Sequence, residues 1–121
     1  MPQQVERPTT EREPAWKVAL REANRVRLVR AAWKRRIERQ LTGEASRELL
    51  ADVLSDPPED LHGMELGELI GACRRVGRVA IERYMHIAEV SSTRHVGDLT
   101  ARQRWVLIGV LRAPRQGERD D

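Results

Sequence analysis

The densest chemistry in the chain sits in five residues, Arg74-Arg75-Val76-Gly77-Arg78, three guanidinium groups around one glycine. Arginine forks match phosphate oxygens, and the free N–H groups of a helix start add partial positive charge at the same place. Leu66, Leu69, Ile70 and Cys73 recur at helical spacing before the turn, and Val79, Ala80, Ile81, Tyr84 and Met85 supply packing candidates after it. Gly77 suits a helix end or a reversal that needs a positive φ. The turn is therefore expected to grip a nucleic-acid backbone, Val76–Arg78 through amides and Arg74, Arg75 and Arg78 through charge. The alternative is an ordinary helix connection whose arginines are solvated.

A second basic element stands upstream. Residues 14–41 lack internal Pro and Gly and read as one long helix, with Val26, Val29, Trp33, Ile37 and Leu41 forming one stripe. It carries nine basic residues against two acidic ones. At about 100° per residue, Lys17, Arg21, Arg25, Arg35, Arg36 and Arg39 fall within an arc of roughly 100°, while Arg27, Arg30 and Lys34 flank the stripe on its other side. A solvated helix face usually mixes signs for i, i+4 pairing, so this imbalance points to a polyanion. The bland alternative is a solvated face whose arginine stems pack on neighbours.

The other elements must position these two. Residues 1–13 are polar and read as a disordered arm, with Thr10 a cap for the long helix and Pro14 in its first turn. Thr42-Gly43 should end the long helix, and residues 44–55 should form a short helix with Leu49, Leu50, Val53 and Leu54 inward. Residues 56–60 read as a stiff acidic linker. From 44 to 68 there are eight acidic residues and one arginine. Such segregation orients a protein on a polyanion, or else matches the long helix internally. Residues 65–73 start the central helix pair, with Gly67 and Gly71 four apart to allow close helix contact. Ser91–Leu99 reads as an ordered loop, and Thr100 as the N-cap of a helix over 101–112 that buries Trp105, Ile108 and Leu111. The chain ends in a polar tail, 113–121.

Composition bounds the rest. With 121 residues, 40% apolar and 34% charged, the chain has room for one small domain and tails. The pI is near 9.7, although the net charge is only +3, so placement matters more than the total. Cys73 alone excludes an intrachain disulfide and a multi-cysteine zinc site, and it reads as a small buried hydrophobe. His62, His86 and His95 form no i, i+4 pair, so no metal or cofactor is expected. No apolar run approaches the roughly 18–20 residues of a membrane helix. The expectation is a soluble, cytoplasmic, all-α protein with no membrane partner: a long basic helix over 14–41, then a compact domain of about four shorter helices over 44–112.

The distal half resembles the integration host factor family of actinobacteria, nucleoid-associated proteins with a helix-two-turn-helix domain. Leu61, Met64, Leu69, Val76-Gly77-Arg78-Val79, Met85, Thr93-Arg94, Leu99 and Arg102-Gln103-Arg104 carry the resemblance, without a gap between about 61 and 106. In kind it extends over residues 15–112. It implies a monomer that binds duplex DNA with little sequence preference and bends or constrains it in the nucleoid, with a site-specific recombinase as a further partner. It also implies a backbone site at Arg75, Gly77, Arg78 and Arg94. The chain departs from the family as a divergent or phage-borne member would. Arg74 stands where a proline is usual, and His95 and Gly97 stand where arginine is usual. The loop's grip should therefore be weaker near neutral pH, with His95 adding charge only on protonation.

Four rivals remain, the weakest of them a basic amphipathic helix lying on a membrane surface. Formamidopyrimidine-type DNA glycosylases share the domain, but they need a proline amine followed by glutamate, and here Pro2 precedes Gln3. The chain is accordingly expected not to be an enzyme. A small-subunit ribosomal protein uses a related domain, which keeps RNA open as a ligand. The acidic segment and long helix could also serve a protein-interaction adaptor for a recombinase or transcription complex.

Overall fold

Helix α1 spans Ala15–Glu38, with Pro14 at its N-cap position. The computed structural model describes residues 13–113; the expected arm, its Thr10 cap, Pro2-Gln3 and the tail beyond 113 lie outside the described residues. Within them lie five α-helices and two short 3-10 turns, and no strand is present. The all-α expectation holds.

Of the stripe foreseen on α1, Ile37 is fully buried, Val26, Val29 and Trp33 are half-buried, and Leu41 is 89% exposed. Leu41 leaves the stripe because α1 stops at Glu38, where the Arg39 amide donates to the Arg35 carbonyl. Thr42 and Gly43 do not close this helix as expected. They open the next one, α2 (Gly43–Ser55), whose first turn is capped by Thr42 Oγ1 accepting from the Ala45 amide at 3.0 Å. A threonine followed by a small residue is a strong N-cap, and that preference outweighs the helix-ending role of glycine.

The remaining helices are α3 (Leu66–Gly71), α4 (Arg78–Ala88) and α5 (Ala101–Arg112). Short 3-10 turns at Glu59–Leu61 and Val96–Asp98 lead into α3 and α5. Helices α2 and α5 run antiparallel and finish each other's ends. Arg47, almost fully buried near the start of α2, donates Nε–H to the Leu111 carbonyl at the end of α5. Arg104 near the start of α5 donates Nη1–H to the Leu54 carbonyl at the end of α2. Cations satisfying C-terminal carbonyls are favoured by the helix dipole. Leu50, Leu54, Leu61, Leu66, Leu69, Ile70, Leu107 and Leu111 fill the core between these elements.

Thr100 caps α5 as expected, in a capping box with Gln103. Trp105 does not go inward: it is 76% exposed, and Leu107 takes the core position. Two residues turn a helix through about 200°, so burying Leu107 and Leu111 against α2 sends Trp105 to solvent. Val79, expected to pack, is likewise exposed, while Ala80, Tyr84 and Met85 are buried.

The loop after α4 pairs with the chain before α3. Leu66 and Gly67 amides donate to the carbonyls of Arg94 and Ser92, both at 2.8 Å, and Glu65 and His95 form an isolated antiparallel bridge. Gly67 serves this approach and not a helix–helix contact. A Cβ there would lie 2.9 Å from Ser92 Cβ, whereas one at Gly71 would meet only Ile81 at 3.7 Å.

Candidate nucleic-acid interface

Between α3 and α4 the left-handed residue is Arg75, at φ 65°, and not Gly77. Gly77 has an ordinary φ of −93° and is the N-cap of α4. Its missing side chain leaves the start of α4 without a side-chain cap and with open space around it. A non-glycine residue in the left-handed region costs roughly 1–2 kcal/mol, strain that recurs at functional turns. Val76 is buried and pins the turn, while Arg75, Gly77 and Arg78 stay exposed.

A fully buried serine joins the turn to the long helix. Ser46 Oγ donates to the Ile37 carbonyl at 2.7 Å and accepts from the Arg74 amide at 2.9 Å. The last turn of α1, the start of α2 and the arginine turn thus meet at one hydroxyl.

That junction creates a trough. A cleft of about 570 Å³ lies between α1 and the turn, with Lys34 and Arg35 on one wall and Arg74 and Arg75 on the other. A further hollow of about 480 Å³, which adds Arg27 and Arg30, shares Ala31, Lys34 and Glu68 with it. Six cations line these two adjoining hollows against the carboxylates of Glu38 and Glu68. Arg74 Nε is buried without a hydrogen-bond partner. Such a donor is costly to leave unmade.

The trough draws on the flank of α1 opposite its more basic arc. Arg27, Arg30 and Lys34 reach it, along with Arg35. Their spacing is a helical row in the sequence, but nothing there tells which row faces the turn. Lys17, Arg21, Arg25, Arg36 and Arg39 lie outside it. Arg36 stacks on Trp33, 4.8 Å from the ring centre. Arg39 is exposed beyond the helix end, and Lys17 is exposed at the far one. Arg21 pairs with Glu13. Arg25 pairs with Glu22 at 2.7 Å and Asp60 at 2.8 Å. The hydrogen bonds from Arg25 hold both carboxyls below their usual values, and those two partners raise the guanidinium in turn. Lys34 pairs with Glu68 at 2.8 Å, and Arg30 Nε–H donates to the Asp60 carbonyl. Of the two explanations for the charge segregation, internal matching thus accounts for Arg25 and partly for Lys34.

Arg78 and Arg94 do not line the trough. Arg78 borders a different groove, between α4 and Ser91-Ser92, which carries Glu65, Glu68 and Glu82. Three carboxylates against one cation make it a poor phosphate seat. Arg94 and His95 are exposed and line neither groove. Of the four residues implied by the resemblance, Arg75 lines the trough, Arg78 borders the second groove, and Gly77 and Arg94 line neither. Among the described residues no group of His, Cys, Asp or Glu is placed to hold a metal, and no helix is long and apolar enough to cross a membrane. No family model, curated protein or solved structure matches this chain.

Proposed function

We propose that this chain binds duplex DNA through its phosphate backbone, with little sequence preference, and acts by binding rather than by catalysis. The observation that carries the reading is the trough, which six cations from α1 and the Arg74–Arg75 turn line together. Phosphate contacts position a protein without reading bases, which supports tolerance of sequence. The resemblance to actinobacterial integration host factors supports the same ligand, and with it a nucleoid-associated role that bends or constrains DNA. Arg36 and Arg39 near the end of α1, and Arg78 and Arg94 beyond α3, are exposed cations outside the trough that could add outlying contacts. Contacts that flank a central seat favour a duplex curved toward them.

Titration of random-sequence duplex DNA with salt tests the reading. Neutralising about six phosphates gives a slope of roughly −5 in log affinity against log salt. A slope near zero overturns it, and tighter binding to structured RNA in direct competition reassigns the ligand. Relaxation of plasmid with topoisomerase in the presence of the protein reads the bending.

A further inference from the structure

The outer half of α1 and the outer face of α2 carry complementary surfaces that contacts within the chain satisfy only in part. Residues 15–23 of α1 are all exposed, among them Trp16 at 65% and Leu20 at 52%. Trp16 and Leu20 stand one turn apart, and Lys17 and Arg21 form the adjacent row. On α2 the pattern repeats with the opposite sign. Glu44, Glu48 and Asp52 rise one per turn along a groove of about 490 Å³ that also exposes part of Leu49. Leu41, 89% exposed, stands just before it.

We infer that a second copy of this chain fills each surface, the outer half of α1 from one copy lying along the acidic groove of α2 on the next. Charge argues for this occupant. Lys17 and Arg21 face a row of carboxylates, and Trp16 and Leu20 face Leu49 and Leu41. On ideal helices the apolar and charged rows come into register when the two helices run parallel. The contact cannot form within one chain. α1, with 24 residues, is about 36 Å long, and α2 begins beside its far end. A phosphodiester backbone could neutralise Lys17 and Arg21 but leaves Trp16 and Leu20 in water. Some of the charge is already shared, since Arg21 pairs with Glu13, and Arg112 pairs with Glu48 and Asp52. Glu44 is exposed and carries no such pair among the described contacts.

The two surfaces differ, so the contact is head-to-tail and propagates until it closes into a ring or runs out of protein. This departs from the monomer that the resemblance implies. It does not rest on DNA binding, and it is measured with no DNA present.

Sedimentation velocity of the full chain over a concentration series is the test. At low salt the sedimentation coefficient should rise with concentration, and at about 1 M salt, where the Debye length is roughly 3 Å, the rise should vanish. Trp16→Ala should weaken it. Lys17→Glu with Arg21→Glu should abolish association, as should Glu44→Lys with Glu48→Lys. An equimolar mixture of those two double variants should associate again, because each then offers the charge the other lacks. The changed side chains are exposed, and circular dichroism confirms that each variant keeps its helices. A wild-type chain that stays monomeric at low salt up to its solubility limit overturns the inference, and so does a mixture that fails to recover. Trp16-dependent sedimentation with phosphatidylserine vesicles, without self-association, overturns it too and gives the face to a lipid surface.

Discussion

The buried hydroxyl of Ser46 accepts the Arg74 amide at 2.9 Å across 28 residues of sequence. The same oxygen donates to Ile37 at the end of α1, so one side chain sets the two walls of the cationic trough against each other. Ser46→Ala leaves a partly buried amide without its acceptor, and such a loss costs about 1–3 kcal/mol. For a domain of this size the melting temperature should fall by roughly 4–8 °C per kcal/mol. DNA affinity should fall as well although no charge has changed. Calorimetry beside a gel shift reads both, and a variant with unaltered melting and binding would deny the serine this role.

The charge inside the trough should matter more than charge outside it. Arg35→Ala and Arg75→Ala should each reduce the salt slope by about 1 and weaken binding to all sequences alike. Arg25→Ala removes the same charge from α1, yet Glu22 and Asp60 already match it, so the slope should hold. Fluorescence anisotropy on two unrelated duplexes decides. Equal slope changes for all three variants would dissolve the trough into a general basic surface.

Stability should carry an acid limb that depends on Arg25. Glu22 and Asp60 have usual values of 4.5 and 3.8, and both are depressed in the fold by hydrogen bonds from Arg25. Depressed carboxylates contribute stability above their unfolded values and lose it as pH falls through the folded ones. Melts stepped downward from pH 5 should decline, and Arg25→Gln should lower stability near pH 7 and flatten that decline, so that the two proteins converge in acid. A parallel decline in both proteins would place the acid sensitivity elsewhere.

Two glycines should respond to alanine with opposite signs. Gly67→Ala puts a Cβ 2.9 Å from Ser92 Cβ and 3.2 Å from its carbonyl oxygen, a backbone clash worth about 1–3 kcal/mol of destabilisation. Gly109→Ala on α5 meets nothing within 4 Å and gains about 0.5–1 kcal/mol of helix propensity. Urea melts of the two variants should move to either side of the wild type.

Leu107→Ala should cost about 2–5 kcal/mol, since Leu107 is fully buried in the hydrophobic core. Trp105→Ala, at a side chain mostly in water, should stay within about 0.5 kcal/mol. Reversal of that order in denaturant melts would place Trp105 in the core after all.

Local rules made much of this protein legible in its sequence. Helical spacing located α1, α2 and α5, since apolar recurrence reflects burial of one face. Thr100 announced the start of α5, because its hydroxyl caps within four residues. The cationic turn was visible too, and so were the buried Leu66, Leu69, Ile70 and Cys73. Distance in the chain hid the rest. Gly77 drew the left-handed conformation in expectation, whereas Arg75 holds it, because Val76 must turn into the core two residues before α4 begins. Trp105 looked like core by type, but the rotation of α5 against α2 favoured Leu107. The arc of Lys17, Arg21, Arg25, Arg35, Arg36 and Arg39 was the most basic row on α1, yet of these only Arg35 reaches the trough. A helix face has no direction until something packs on it. The sequence by itself determined the helices and their charge; the buried Ser46 junction and the packing of α1 on α2 decided which charges share a groove.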